Sequence, residues 1–197
     1  NLGAKLAKGK FLIFLDADSQ VNCFFTQKVY KTIQKKKGLL FLPYLESEEK
    51  KPQYKFLFEF INFIVEISQI SGKPFSAGGA LIIEKNFFKL LQGYNIKLFM
   101  SEDHDLIKRA FQWGVRAKFL KDVKVKFCLR RLKKEGNLTL FYKYFLASVH
   151  YIFKGEIRKK IFDYQMGGHY FKTDKKRNNF INNFEEYLKQ IKKIFTI

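Results

Sequence analysis

A run of five apolar residues, Phe11–Leu15, is the feature that most constrains the fold of this chain. The run is too short for an isolated helix and has no polar face, so it predicts a central β-strand that is buried on both faces. Asp16 and Asp18 follow it directly. If the strand geometry continues through them, both carboxylates project from one face at the carboxyl end of the strand, where open α/β sheets bind their ligands.

The two neighbouring aspartates allow two interpretations. Carboxylates this close repel each other beside a buried strand unless a cation shares them, and hard oxygen ligands suit Mg2+ or Mn2+ bridging to phosphate oxygens. Alternatively, the pair belongs to a turn that closes the strand, because aspartate is favoured in turns. The spacing of Asp16 and Asp18 by itself leaves both interpretations open.

The composition is that of a folded chain, since 47% of the 197 residues are hydrophobic, 24 are Phe and only 3 are Pro. Cys23 and Cys128 show no metal-ligand spacing and form no disulfide framework, which favours a reduced, cytosolic protein. No apolar run approaches the about 18 residues of a membrane span, and no signal peptide is recognisable. The chain begins without Met on what reads as mid-domain sequence, so we expect a fragment.

Positive charge is concentrated in the second half of the chain. The formal net charge is +20, of which the residues from Val115 onward contribute +14, with 21 basic and 7 acidic side chains. A basic half beside an acidic pair predicts polyanionic partners such as phosphorylated ligands, anionic lipid headgroups or nucleic acid. The alternative is an ordinary solvated surface in a chain whose composition is biased toward Lys, Phe and Ile.

The remaining pattern predicts alternating helices and strands. We expect helices over 1–8, 24–36, 54–70, 86–91, 102–113, 138–153 and 178–195, and strands over 11–15, 39–42, 81–83, 117–120 and 123–127. Pro43 is expected to stop the second strand. The aromatic helix over 138–153 suits either a membrane interface or packing on the body of the protein. The helix over 54–70 is amphipathic, and its apolar side carries Phe56, Phe60, Phe63, Ile64, Ile67 and Ile70.

Paired glycines, Gly78 and Gly79, precede the third strand. Glycines at such a place permit backbone conformations that other residues do not reach, and they let a ligand approach the backbone closely. A plain turn is the alternative. Arg130 and Arg131, which follow the last predicted strand, allow a similar choice: paired arginines clamp a phosphate bidentately, or they are simply surface charge.

The stretch Ser101–Leu106 is the second informative region. Ser101 is a favourable N-cap residue, so Glu102 and Asp103 fall in the first turn of the following helix. One interpretation is a well-capped helix with an Asp105–Arg109 pair at i, i+4. The functional interpretation is that the helix dipole keeps Asp103 ionised, so that it accepts a proton from an incoming hydroxyl.

Taken in order, these motifs resemble family 2 glycosyltransferases of the GT-A fold. The matching stretches, which cover about residues 1–131, are Asn1-x-Gly-Ala-x-x-Ala-x-Gly, Phe14-Leu-Asp-Ala-Asp18, Ala77-Gly-Gly79, Gln92-Gly93 and Ser101-Glu-Asp-x-Asp-Leu-x-x-Arg-x-x-x-x-Gly114. The resemblance implies an α/β, Rossmann-like three-layer sandwich, incomplete at the N-terminus. Residues 1–131 would form the C-terminal portion of this catalytic domain, and residues 132–197 a basic, aromatic helical extension.

The resemblance also implies roles for individual residues. Asp18 would ligate the Mg2+ or Mn2+ that holds the diphosphate of a nucleotide-sugar, with Asp16 on the ribose side or bridging through water. Asp103 would be the base that deprotonates the acceptor hydroxyl for in-line attack with inversion, and Glu102 would support it. The donor sugar would be lined by Gly78 and Gly79, and the leaving diphosphate by Arg130 and Arg131.

Three departures from the family pattern qualify this assignment. By family resemblance, roughly a hundred residues that recognise the nucleotide base stand upstream of the Asp-x-Asp motif, so we expect a C-terminal fragment that need not bind donor or turn over alone. Some relatives supply a third metal ligand, a histidine, where this chain has Phe127-Cys128. The Gln-x-x-Arg-Trp signature of processive polysaccharide synthases is missing, which favours transfer of a single sugar.

Two other classes of protein remain open at this point. A basic, aromatic-rich chain could be a nucleic-acid- or anionic-membrane-binding module without catalysis, although it lacks an RNA-binding aromatic motif, a helix-turn-helix pattern and zinc ligands. Donor-dependent metal binding separates that class from an enzyme. A nucleotidyltransferase of related architecture would use its acids similarly, and formation of a sugar-transfer product would distinguish a glycosyltransferase from it.

As an enzyme, the protein is expected on the cytoplasmic face of a membrane, near a glycan or lipid-linked acceptor.

Overall fold

The computed structural model describes residues 1–98, 101–127 and 129. The predictions for Cys128, Arg130, Arg131 and the extension over 132–197 therefore lie outside the described residues. Those up to Lys97 and from Ser101 onward belong to one compact unit. Its elements are α1 (Leu2–Leu6), β1 (Phe11–Leu15), α2 (Phe25–Lys36), β2 (Leu40–Ser47), α3 (Pro52–Ser68), β3 (Ala80–Glu84), α4 (Lys85–Leu90), α5 (Glu102–Gln112) and β4 (Lys118–Phe127).

The four strands form one mixed sheet in the order β1-β3-β2-β4. β3 runs antiparallel to both β1 and β2, whereas β2 and β4 are parallel. As a result, the carboxyl ends of β1, β2 and β4 and the beginning of β3 all lie at the same edge of the sheet. Helices pack against the sheet around an apolar core that includes Leu12, Leu40, Leu42, Leu81, Ile83, Leu106, Ile107 and Phe119.

β1 does not occupy the central position that its apolar run predicted. Within the described residues it is an edge strand that pairs with β3 alone. Leu12 is buried, but Ile13 and Leu15 on the opposite face remain more than a third exposed. The prediction of burial on both faces is therefore wrong for the described part of the chain, because an uninterrupted apolar run does not specify how many faces are covered.

Pro43 does not stop β2, and the two predicted strands over 117–120 and 123–127 are one strand. β2 continues to Ser47, and its pairing with β4 shifts register between Pro43 and Tyr44, so that Pro43 faces Leu120 while Tyr44 faces Lys124. A bulge of this kind accommodates a proline, which has no amide hydrogen to donate to the ladder. The extra length of the bulge consists of Lys121 and Asp122, which lie between the two predicted strands, and Val123.

The rotation of α3 about its axis is fixed by a buried polar contact with β2. Asn62 accepts a hydrogen bond from the Leu45 amide (3.0 Å) and donates one to the Leu45 carbonyl (2.8 Å). Tyr54, Phe58 and Val65 are buried on the same side of the helix. The face that the sequence pattern marked as apolar therefore points away from the sheet and is exposed.

The Asn62 contact yields the first testable prediction. Replacing Asn62 with alanine leaves the buried amide and carbonyl of Leu45 without partners, so we expect the free energy of unfolding to fall by about 2–3 kcal/mol. Gln53→Ala, on the exposed side of the same helix, is the matched control and should change it by less than about 0.5 kcal/mol. Equal losses in urea denaturation of the two variants would contradict the contact.

Candidate active site

The antiparallel pairing of β1 with β3 brings the two aspartates beside the two glycines. Leu15 pairs with Ala80 at the end of the ladder, and the Asp16 amide donates to the Gly79 carbonyl at 3.1 Å. The strand ends at Leu15, and the Ser19 amide closes a turn on the Asp16 carbonyl at 3.0 Å. The strand geometry therefore does not continue through the two aspartates, and the condition under which both carboxylates would project from one face of the strand is not met.

The turn containing Asp16 and Asp18 remains compatible with a metal site. Asp16 is exposed and Asp18 is partly buried, so neither carboxylate is locked inside the protein. Ser19 anchors the turn through its hydroxyl, which donates to the Gly79 carbonyl at 3.3 Å. The alternative that aspartate favours a turn is thus correct for the backbone, and it does not exclude the metal interpretation of the side chains.

Gly78 and Gly79 both adopt backbone conformations that other residues rarely reach, with φ of +76° and +79°. A Cβ atom at Gly79 would lie 2.5 Å from the ring of Phe127, well inside van der Waals contact. A Cβ atom at Gly78 would lie 3.8 Å from Oδ2 of Asp103. The absence of a side chain therefore permits the backbone conformation at both positions. At Gly79 it also allows the start of β3 to pack closely against the end of β4.

A glycine-to-alanine pair separates these two effects at Gly79. Gly72 has a similar φ of +80°, but a Cβ atom added to it would have no other atom within 4 Å. We expect Gly72→Ala to lower the free energy of unfolding by about 1–2 kcal/mol through backbone strain. Gly79→Ala should cost about 2–4 kcal/mol, because the Phe127 ring must also move. Equal losses for the two variants in chemical denaturation would show that the Phe127 contact is unimportant.

The first turn of α5 places its acids at the same edge of the sheet. The helix begins at Glu102 as predicted, but Ser101 has a φ of +67° and its side chain makes no capping hydrogen bond. The expectation that the Ser101 hydroxyl caps the helix is therefore wrong. Oδ2 of Asp103 is buried and has no hydrogen-bond partner among the described residues. A buried carboxylate oxygen without a donor is costly unless a ligand supplies one.

His104 connects the beginning of α5 to the loop that contains Ser76, Gly78 and Gly79. Its Nε2 donates a hydrogen bond to the carbonyl of Ser76, and its ring packs edge-on against Phe75 with 5.7 Å between centroids. The Ser76 hydroxyl in turn accepts from the Gly78 amide at 3.0 Å. Asp103, the residue that precedes His104, is thereby held against the same loop.

Arg109 fastens α5 to a second loop. Its Nε and Nη2 donate to Oδ2 of Asp105 at 2.8 and 2.6 Å, which confirms the predicted i, i+4 pair. The guanidinium also donates to the carbonyls of Leu91 and Gly93, the latter at 2.8 Å. The pair predicted as a helix-stabilising contact therefore also ties the acid-bearing helix to the loop that leads into Tyr94.

Tyr94 belongs to the site, although none of the sequence motifs includes it. Asn1 holds its backbone through two hydrogen bonds of 2.9 Å, one to the carbonyl and one from the amide. The Tyr94 ring packs against Phe14 and Phe88, with 5.0 and 5.5 Å between centroids. The position of Gln92-Gly93 among the family motifs was the available signal, because the turn at Gly93 sets where Tyr94 lies.

The electrostatic effects on pKa show that four polar groups, those of Tyr94, Asp103, Glu102 and Asp16, lie close together at this edge of the sheet. Burial raises the pKa of Tyr94, and the negative charges of Asp103, Glu102 and Asp16 raise it further. The pKa of Glu102 is also raised, first by partial removal of water from its carboxyl group and then by Asp103 and Asp16, with a backbone hydrogen bond and His104 opposing. Asp16, Glu102 and Asp103 therefore lie close enough together to form one acidic cluster.

The carboxylate groups at this edge of the sheet supply only some of the ligands that a metal ion needs. Carboxylate oxygens are the ligands that Mg2+ and Mn2+ prefer, and such ions commonly bind to one or two protein carboxylates plus phosphates and water. Over the part of the chain that the structure describes, no group of three His, Cys, Asp or Glu side chains could enclose a metal. Asp16 and Asp18 therefore suit a metal that a phosphorylated ligand helps to bind.

Comparison with solved structures finds chains with a similar fold. A mannosyltransferase from Pyrobaculum calidifontis, in complex with GDP-Man and Mn2+, aligns with a TM-score of 0.51 and 13% identity over 78% of this chain and 40% of that one. GalNAc-T7, with UDP, GalNAc and Mn2+, aligns with a TM-score of 0.45 and 17% identity over 75% of this chain and 36% of that one. This chain thus spans less than half of either neighbour.

The likeness to the mannosyltransferase identifies the fold as the GT-A fold of glycosyltransferases, which confirms the predicted α/β architecture. At this level of identity the likeness concerns the fold alone. No family model and no curated protein matches the sequence. The function therefore has to be argued from the site.

Proposed function

We propose that the protein is a metal-dependent glycosyltransferase of family 2 that moves one hexose from a nucleotide-diphospho-sugar to an acceptor hydroxyl, with inversion. The observation that carries this proposal is the buried Oδ2 of Asp103, which lacks a donor and faces Gly78 at the edge where the turn of Asp16 and Asp18 also lies. An acceptor hydroxyl would supply the missing donor. The GT-A fold of the chain supports the same assignment.

Asp18 and Asp16 are the residues that would hold Mg2+ or Mn2+. When bound, the metal would neutralise charge on the diphosphate as it leaves. The Mn2+ in the two neighbouring structures supports a divalent metal without distinguishing it from Mg2+. Arg130 and Arg131 are proposed to contact the leaving diphosphate, as the family pattern implies, and Gly78 and Gly79 to line the donor sugar.

Asp103 is proposed to take the single proton that the reaction releases. The acceptor oxygen forms a bond to the anomeric carbon, the bond from that carbon to the diphosphate oxygen breaks with its electron pair, and the hydroxyl proton passes to Asp103. Attack from the face opposite the leaving group inverts the configuration. Because its pKa is raised, Glu102 holds a proton more readily than an ordinary glutamate, which would lessen the repulsion on ionised Asp103.

We also propose a peripheral location on the cytoplasmic face of a membrane, with a glycan or lipid-linked acceptor, as in cell-envelope or polysaccharide assembly. The excess of +14 charge from Val115 onward, together with aromatic residues in the same part of the sequence, supports attraction to anionic lipid. None of the helices in the described part of the chain is long and apolar enough to span a bilayer.

The proposal is tested by assaying hexose transfer by the complete gene product from a panel of nucleotide-sugars with Mn2+. We expect a sugar-transfer product that wild type and Asp122→Asn form and that Asp18→Ala does not; Asp122 is an exposed acid on β4 and serves as the matched control. Transfer of the nucleotidyl group instead would assign the acids to a nucleotidyltransferase. Binding of RNA or DNA without metal-dependent donor binding would favour the non-catalytic module.

A further inference from the structure

The exposed face of α3 has the character of an interaction surface. Four large apolar side chains of α3, together with Ile70 just beyond its end, follow the spacing i, i+4, i+7, i+11, i+14, which places them in a single stripe. They are between 44% and 72% exposed: Phe56, Phe60, Phe63, Ile67 and Ile70. A continuous apolar stripe of this size is unusual on a surface that faces only water. We call these five residues the α3 stripe.

The stripe cannot be turned inward by a rotation of the helix. The opposite face of α3 is already buried against the sheet, with Asn62 bonded to both backbone groups of Leu45. The Tyr44 hydroxyl also donates to Oε2 of Glu66 at 2.7 Å. Because these contacts fix the helix, a partner must come to the stripe from outside the compact unit.

The charges around the stripe favour an anionic bilayer as that partner. Three exposed lysines, Lys50, Lys51 and Lys55, stand around the beginning of α3, and exposed Lys73 follows its end. Three acids near the stripe are compensated by lysines, since Glu49 pairs with Lys51 at 3.1 Å, Glu59 with Lys55 at 3.9 Å and Glu66 with Lys121 at 3.0 Å. A second copy of the chain fits less well, because each copy carries a net charge of +20 and the two would repel each other.

We propose that the α3 stripe inserts its apolar side chains into the interface of an anionic membrane, with the helix lying parallel to the surface and its flanking lysines at the headgroups. The stripe is a different surface from the basic C-terminal half considered above. It lies in the described unit, on the side of α3 away from the sheet. The proposal adds a specific docking surface to the proposed peripheral location, and it does not depend on the proposed catalytic activity.

The first test uses the full chain and vesicles, without nucleotide-sugar. Wild type should sediment with vesicles of phosphatidylglycerol and phosphatidylcholine, and more weakly with pure phosphatidylcholine. The triple variant Phe56→Ser/Phe60→Ser/Phe63→Ser should lose at least about tenfold in partitioning. Tyr30→Ser/Trp113→Ser, which removes two comparably exposed aromatic residues outside α3, is the control and should bind as wild type does.

A second measurement locates the contact. In a Trp113→Phe background, the indole introduced by Phe60→Trp should be quenched by brominated anionic lipid, and the one introduced by Tyr30→Trp should not. Equal vesicle binding by wild type and the triple variant, or equal quenching at both positions, would overturn the proposal. A wild-type dimer that the triple variant converts to a monomer, without vesicle binding, would assign the stripe to a second copy instead. If wild type bound vesicles but transferred no sugar, the proposed function would be refuted and the docking surface would stand.

Discussion

Replacing Asp103 with asparagine is expected to lower the rate of sugar transfer by about 10²- to 10⁴-fold, the usual contribution of a positioned general base. The amide keeps nearly the same shape and the same place against Gly78, but it cannot accept the proton of the acceptor hydroxyl. Since the aspartates proposed to hold the metal lie in a separate turn, donor binding should survive. The measurement is the turnover number with donor and acceptor saturating, together with the donor dissociation constant.

The control for this prediction is Asp122→Asn, which removes a carboxylate of the same type from an exposed position on β4. It should leave turnover within about twofold of wild type, as surface substitutions usually do. A variant at Asp103 that turned over normally would exclude this residue as the base. A variant that lost donor binding as well would place Asp103 with the metal ligands, contrary to the roles proposed here.

Replacing Arg109 with methionine is expected to lower the free energy of unfolding by about 3–5 kcal/mol. Asp105 is only 5% exposed, so its carboxylate would be left buried without its cation. The carbonyls of Leu91 and Gly93 would lose their donor at the same time. Chemical denaturation of wild type and variant measures the loss directly and does not require that the chain be active.

A matched substitution and a double variant make this result specific. Lys108→Met removes an exposed cation from the neighbouring position of α5 and should change stability by less than about 0.5 kcal/mol. Asp105→Leu/Arg109→Met should recover part of the loss, because an apolar pair buries no uncompensated charge. If the double variant were no more stable than Arg109→Met, the unpaired charge of Asp105 would not be the cause.

The fold and most of the acidic site could be predicted from local patterns. The strand before Asp16 is marked by its apolar run, the glycines with positive φ by their pairing, and the start of α5 by Ser101 followed by three acids in one turn. Each of these signals is local, because backbone conformation there depends on residues a few positions apart. The Asp105–Arg109 pair was predictable for the same reason, since the two residues are neighbours on one helix face.

Features that depend on distant parts of the chain could not be predicted in this way. Whether β1 is central or at an edge is decided by its neighbours in the sheet, and the apolar run of Phe11–Leu15 is the same in both cases. The apolar side of α3 does not identify its buried face, because the helix is apolar around most of its circumference and the deciding contact is that of Asn62 with Leu45.

The part of the site formed by Tyr94 was missed for a related reason. Its neighbours Asn1, Phe14 and Phe88 come from three different parts of the sequence, and Arg109 holds the preceding residue from a fourth. No short motif contains that arrangement. The Asn1 motif was noticed only as part of the family resemblance, and its contact with the Tyr94 backbone gives it a physical role.

The most direct test of the central claim is calorimetric titration of the complete gene product with a panel of nucleoside diphosphates and nucleotide-sugars, with and without Mn2+. We expect at least one of them to bind only when the metal is present. Asp18→Ala should abolish that binding, and Asp103→Asn should preserve it. Binding that is indifferent to Mn2+, or equally lost in both variants, would contradict the assignment of one acid pair to the metal and a separate acid to the acceptor.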